Sequence, residues 1–472
     1  MHLSSIAVQD SVPTLVPSLV PPLVHGTAVL AHRAFAGETL ADLLAFIARP
    51  TTTMPQQAAL LLDTSAAHQL HFSHEQAAAL QRQALDHHRL FRVADGFGVR
   101  SGRPFRLLAL VAPGDLMINT PLDFITGHLD VQLDLLFVVP GHPLPSHIPD
   151  HDAAFFAVSE SDPAALRRLL PLHACWPRPV LNDPAAISRL SRDTVANGLA
   201  GLPGLCSPAV SRLTQDCLLA YRKGESTAPP PASGFPVLIR PVHSHAGQNL
   251  EKLDRLSGLA AYLDANPTGE FFVTQFVDYR GADGMFRKLR VAVIDGQPFL
   301  CHMAASDHWM VHYLNAGMAK SESRRADEAR AMAEFDTGFA ARHADAFAAL
   351  NRWMGLDYFQ IDCAETPDGR LLVFEVDVAA IIHLMDPPDL FPYKPAQMRR
   401  VFAAFDTMLR RHAGWETPSG PAAGTGNRAG QTPPWFCAPL AAETRPTHLR
   451  RAAPPAASQP PPGQPPAASC RS

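Results

Sequence analysis

The chain has 472 residues, 47% hydrophobic and 18% charged, with a formal net charge of -4 at pH 7. These values describe an ordinary soluble protein of two or three domains and exclude a broad electrostatic attraction to nucleic acid or to an anionic membrane, so any anion site has to be local. The seven cysteines (Cys175, Cys206, Cys217, Cys301, Cys363, Cys437 and Cys470) form no CxxC pair, which indicates neither a disulfide framework nor a zinc site and fits a reducing cytoplasm.

The opening "SVPTLVPSLVPPLV" is apolar, but its repeated prolines and the lack of a basic start argue against both a signal peptide and a membrane-spanning helix. "GETLADLLAFIA" and "HEQAAALQRQALDHHRLFRVA" place apolar residues at helical spacing, so residues 1–104 are expected to be a helical region. From 105 to 185 the pattern changes. "PFRLLALVAPG" and "LDVQLDLLFVVPG" read as buried strands with a turn-rich segment between them, the rhythm of a small α/β domain. Residues 186–412 hold every dense polar cluster, and the Pro/Ala-rich tail 413–472 is expected to be disordered because it cannot bury enough apolar area.

Within the third region, "GFPVLIRPVHSHAGQNLEKL" predicts a strand from Phe235 to Ile239 closed by Arg240. A loop with Ser244, His245 and Gly247 follows, and then a helical run from about Glu251. A small-residue loop between strand and helix can turn backbone N–H groups toward phosphate, and Arg240 adds a fork of donors. An ordinary turn reads equally well from this segment. The strand "EFFVTQFVDY" either offers backbone groups to an adenine edge or fills a core. "GMFRKLRVAVIDGQPFLCHMAAS" is a hairpin marked by Asp295-Gly296, with Leu289, Val291 and Val293 on one face and Lys288 and Arg290 on the other. That cationic face suits either a triphosphate or plain solvent. "SDHWMVHYLNAGM" supplies His308, His312 and Asn315 in a loop.

"YFQIDCAETPDGRLLVFEVD" is expected to be a second hairpin around a "TPDG" turn. A two- or four-residue loop pairs Asp362 with Val373, which puts Asp362, Glu375 and Asp377 on one side and Phe359, Ile361, Cys363, Leu372, Phe374 and Val376 on the other. A three-residue loop would reverse that parity. Three carboxylates so placed either surround a hard cation such as Mg²⁺ or Mn²⁺ or form a solvated acidic face.

Taken in order, these segments resemble the ATP-grasp superfamily, most nearly the branch of glutathione synthetases and RimK-like ligases that add glutamate to a ribosomal protein. The resemblance spans about residues 186–410 through "PVLIRPVHSHAGQNL", "FVTQFVDY", "FRKLRVAVIDGQP", "YLNAGM" and "GLDYFQIDCAETPDGRLLVFEVD", with a preceding small domain at 105–180. It implies an ATP-grasp fold of the α/β (α+β) class, preceded by that small α/β domain and the N-terminal helical segment.

The resemblance further implies that Asp362, Glu375 and Asp377 hold Mg²⁺ or Mn²⁺. Arg192 and Arg240 take the places of two ATP-contacting lysines, and Ser244, His245 and Gly247 cover the phosphates. Gln275, Phe276 and Val277 meet adenine, while Lys288, Arg290 and Asn315 act on the transferred phosphoryl group. The implied reaction is ATP-dependent ligation of a small-molecule or peptide carboxylate to an amine or thiol through an acyl phosphate. Two departures stand out: arginine replaces both lysines, and Asp377 followed by "VAAIIHLMDP" replaces the usual asparagine and its Ser-Pro-Gly-like continuation. An ATP-binding interaction module without ligase activity and an ATP-grasp kinase remain alternatives, and oligomeric state is left open.

Overall fold

The computed structural model describes residues 12–97, 102–225, 234–242, 244, 247–267, 269–313 and 316–415. The architecture is mixed α/β, built on three main sheets.

The first sheet has six strands in the order Leu23–Val24, Leu90–Val93, Val131–Phe137, Phe105–Val111, Ala153–Phe156 and Val180–Leu181. Neighbours run parallel except Leu90–Val93 against Val131–Phe137. Phe105–Val111 is buried along its length apart from Arg106, the continuous apolar run that a strand covered on both faces requires. Helices Leu40–Ile47 and Met54–Leu70 begin at Thr39 and Thr53, each closing a reciprocal capping box with Asp42 and Gln56. Helix His74–His87 follows, but the helical reading of "LFRV" gives way to a strand. Leu90, Phe91 and Val93 are buried, and Arg92 bonds Asp134 on the adjacent strand at 2.7 and 3.0 Å, a tertiary pairing that overrides helical spacing.

The second sheet has four antiparallel strands in the order Val210–Thr214, Glu270–Gln275, Val237–Pro241 and Glu251–Leu253. The helical run expected from Glu251 is instead this edge strand, and the helix starts at Leu259. Leu218, Val237, Ile239, Leu259 and Phe271 belong to a core of this sheet's own.

The third sheet has the order Gln297–Ser306, Phe286–Ile294, Tyr358–Glu365, Leu371–Asp377 and Leu205–Cys206. Its first hairpin turns at Asp295 (φ 54°) and Gly296 (φ 78°), the two left-handed residues that a two-residue Asp-Gly loop needs. Its apolar side (Leu289, Val291, Val293, Phe359, Ile361 and Cys363) joins the large core. Helix Lys394–His412 buries Phe402 and Phe405 in a core shared with Phe105, Phe155 and Tyr358, which binds the third sheet to the first. Asn182 adds a polar stitch, with Oδ1 accepting the backbone N–H of Tyr358 at 2.9 Å and Nδ2 donating to its carbonyl at 2.8 Å.

The register of the second hairpin corrects the expected one. Glu365 pairs with Leu371 and Cys363 with Val373, but Asp362 pairs with Glu375, so Phe374 is an extra residue in a bulge. The turn, where Gly369 (φ 78°) donates to the Thr366 carbonyl at 2.8 Å, has an odd number of residues and reverses the parity. The bulge reverses it again. Asp362, Glu375 and Asp377 therefore share a side, while Leu372 and Phe374 leave the expected apolar face and pack with Tyr279 and Phe286 in a separate cluster.

Candidate functional site

On the polar side of the third sheet, strand register sets four side chains in a row across four strands: His302, Arg290, Asp362 and Glu375. Lys288 lies two residues along from Arg290, and Gln360 faces Asp377 in the next row. Arg290 holds both oxygens of Asp362, with Nε at 2.8 Å and Nη2 at 3.1 Å, and Lys288 Nζ reaches Oδ2 at 2.9 Å. Burial alone would raise the pKa of Asp362, but these two cations override it and hold the carboxyl well below its usual range. Glu375 accepts a hydrogen bond from Arg192, the first residue of helix Arg192–Leu199. Burial works against its charge too, and Arg192 lowers its pKa in spite of that.

Asp377 has no such cation in contact. It accepts the backbone N–H of Ala379 at 2.6 Å, and burial followed by the charge of Glu375 pushes its pKa up to about 6. Glu160, on the loop after strand Ala153–Phe156 of the first sheet, feels Asp377 in turn. Burial and that charge raise it to about 8, and its Oε2 is buried without a hydrogen-bond partner.

Arg240 is buried and spends its donors on its own loop, with Nε on the Ser244 hydroxyl at 3.0 Å and Nη2 on the Ser244 carbonyl. Burial and then the charge of Arg192 lower its pKa to about 10, so the two guanidiniums are neighbours. Gly247 (φ 73°) continues this loop beside Met310. Gln275 donates to the Pro236 carbonyl at 3.0 Å. Phe276 lies 4.5 Å from Lys252 Nζ and 5.9 Å from the Trp309 ring, and Val277 packs with the cluster that includes Tyr279. His312 has its pKa lowered by burial and then by Lys288 and Arg290, which places it near those cations. His245 and Asn315 lie outside the described residues.

The structure thus gathers Arg192, Arg240, Lys288, Arg290, Asp362, Glu375 and Asp377, and leaves Gln275, Phe276 and Val277 along the connection out of the second sheet. Residues not singled out from the sequence join them. Glu160 is one, signalled only by its place after a parallel strand, the end at which α/β sheets carry their sites. Lys394, Asp386, Tyr313, His302 and His383 form another group with no local signal in the sequence, because the extra residue Cys301 puts His302 on the polar side against the simple alternation of its strand.

The acidic side fits a hard divalent cation in its chemistry, because Glu375, Asp377 and Glu160 offer only oxygen and carry more negative charge than Arg192 offsets. Among the described residues, however, no three His, Cys, Asp or Glu side chains form a ready set of metal ligands. Asp362 in particular is an ion-pair partner of Lys288 and Arg290 here.

No protein-family model matches the sequence, and no curated protein matches it. Solved structures similar to it include VanG D-Ala:D-Ser ligase from Enterococcus faecalis (12% identity, 66% of this chain and 99% of that one, TM-score 0.41). A RimK domain ATP-grasp protein from Sphaerobacter thermophilus (16% identity, 65% and 99%, TM-score 0.37) is another. A third is D-alanine–D-alanine ligase from Bacillus anthracis complexed with ATP (11% identity, 66% and 99%, TM-score 0.39). Likenesses this weak leave the family open. No helix among the described residues is long and apolar enough to cross a membrane.

Proposed function

We propose that the protein is an ATP- and divalent-cation-dependent ligase of the ATP-grasp type, in the RimK-like and glutathione synthetase branch, joining a carboxylic acid to an amine or thiol. The observation that carries this reading is the polar side of the third sheet. There Lys288 and Arg290 from one hairpin alternate with Asp362, Glu375 and Asp377 from the next, and Arg192 and Arg240 arrive from outside. Fixed cations of this kind neutralise phosphate oxygens and charge that develops on transfer, which is most of what phosphoryl chemistry asks of a protein. Arg192, Arg240 and Lys288 bind the phosphates, and Arg290 meets the charge on the activated carboxyl group. Glu375 and Asp377, with Asp362, hold Mg²⁺ or Mn²⁺. When bound, the cation supplies Lewis-acid neutralisation of the phosphates. The second sheet covers the nucleotide through Ser244 and Gly247, and adenine lies along Gln275 to Val277.

One observation favours a second reading. Both oxygens of Asp362 are engaged by Lys288 and Arg290, as expected of a nucleotide-binding module that does not ligate. A single assay decides between them. The full chain is supplied with Mg-ATP and pools of carboxylic acids and amines, ADP plus phosphate is read against AMP plus pyrophosphate, and products are weighed by mass spectrometry. A condensed product that depends on ATP and disappears in Glu375→Gln supports the ligase. Binding without turnover supports the module, and a stable phosphorylated acid points to a kinase.

A further inference from the structure

Beyond Arg290, the row of polar side chains ends at His302 on the edge strand of the sheet. Val291 pairs with Leu300 and Arg290 with His302, so Cys301 is an extra residue that turns His302 onto the Arg290 side. The His302 ring lies 4.6 Å from that of Tyr313, whose hydroxyl accepts from Lys394 Nζ. Lys394 in turn pairs with Asp386 at 2.7 Å. Three residues before Asp386 stands His383, inside the "VAAIIHLMDP" segment. Its Nδ1 accepts the backbone N–H of Met385 at 3.2 Å, which leaves the ring proton on Nε2.

The hydrogen-bond accounting of this corner is lopsided. Lys394, Asp386 and Tyr313 satisfy one another, and Asp362 is filled by Lys288 and Arg290. By contrast Arg290 spends Nε and Nη2 on Asp362 and keeps Nη1, while neither the His302 ring nor His383 Nε2–H has a partner among the described residues. Burial favours the neutral form of both imidazoles. Burial, aided by Lys394 and Arg290, lowers the His383 pKa to about 4 despite Asp386, and burial with Arg290 and Lys394 takes His302 well below its usual value. The corner therefore presents donors with nothing to receive them. Arg290 keeps 22% of its side chain in solvent and both histidines are partly exposed, so these donors are accessible to a ligand.

We propose that Arg290, His302 and His383 form the seat of the carboxylic acid co-substrate, with the two imidazoles as its specificity-determining donors. This inference rests on the ligase reading above. A carboxylate is the group that fits, because its two oxygens accept from the spare edge of a guanidinium and from imidazole N–H groups together. Arg192, with Arg240 beside it, sits at the Glu375 end of the row, and Lys288 lies next to Arg290 on Asp362, so the imidazole end is the one that carries no further formal cation of the row.

The test uses sodium formate as the probe, titrated into the full-length protein saturated with MgADP, with sodium chloride at matched ionic strength as the control. Histidine ring resonances are followed by NMR and assigned with His302→Leu and His383→Leu. The expected result is a saturable formate shift of both rings that chloride does not reproduce. Each leucine variant should weaken formate by fivefold or more, and His383→Gln, which keeps a donor, should stay within about twofold of the parent. Rings that ignore formate, rings that answer chloride equally, or leucine variants that bind formate like the parent overturn the proposal. If a leucine variant no longer binds MgADP, the parent's own ring shifts and His383→Gln decide. A parent that binds formate on these rings but not MgADP overturns the ligase reading and leaves the carboxylate seat standing.

Discussion

Arg290 closes on Asp362 from the neighbouring strand through two nitrogens, at 2.8 and 3.1 Å, and the carboxylate is left with 2% of its side chain exposed. Removing the acid strands two cations whose side chains keep only 18% and 22% of their surface in solvent. Asp362→Ala is expected to lower stability by about 3 kcal/mol, the low end of the range for a buried pair broken on one side. Urea denaturation read by far-ultraviolet circular dichroism measures it. A variant as stable as the parent would show that the pair contributes nothing to the fold.

The acids at the other end make stability depend on pH in the opposite sense to a paired carboxylate. Asp377 and Glu160 have folded-state pKa values raised to about 6 and about 8. A raised carboxyl pKa contributes stability that is complete below the unfolded value and is lost as pH rises through the folded value. Without divalent cations, the melting temperature should therefore fall from about pH 4 to about pH 8. Asp377→Asn combined with Glu160→Gln should flatten that slope, and so should millimolar MnCl₂ or MgCl₂ in the parent. Differential scanning calorimetry across this range tests both.

Arg192 is the only side chain in hydrogen-bond contact with the Glu375 carboxylate among the described residues. Arg192→Ala is expected to weaken MgATP binding by about 10- to 100-fold, in line with roughly 1.5–3 kcal/mol for hydrogen bonds to charged groups. Arg192→Lys should recover part of it, since a point charge replaces the fork. Isothermal titration calorimetry with a non-hydrolysable ATP analogue gives the comparison.

The turn that sets the second hairpin offers a backbone test. Gly369 has a φ of 78°, and nothing lies within 4 Å of where a Cβ would stand. Gly369→Ala should therefore cost only the left-handed strain, about 1–2 kcal/mol, with no steric addition. A larger loss in urea denaturation would mean that the turn has moved.

Much of the third sheet was legible because its signals are local. The Asp295-Gly296 turn, the apolar alternation of Leu289, Val291 and Val293, and the acids at Asp362, Glu375 and Asp377 each need only a few consecutive residues. The register was not legible from parity alone. An odd turn and the bulge at Phe374 are two irregularities that cancel for the acids, yet between them they move Leu372 and Phe374 to the other face. Glu160, Lys394 and His383 carry no local signal for a different reason. Each is an unremarkable polar residue in its own segment and acquires a role only through packing against distant strands. The strand Glu251–Leu253 shows the same limit, because its edge pairing with Val237–Ile239 is invisible in three residues.

The second sheet's private core has a mechanical consequence. Leu218, Ile239, Leu259 and their neighbours share no hydrophobic cluster with the residues beneath Arg290, so Arg240 is positioned by one core while Lys288 and Arg290 are positioned by another. The spacing between these cations depends on the seam where Phe276 meets Trp309 and Gly247 meets Met310, and not on either core alone. A substitution at that seam is expected to shift the distance between the two sets of cations without unfolding either core.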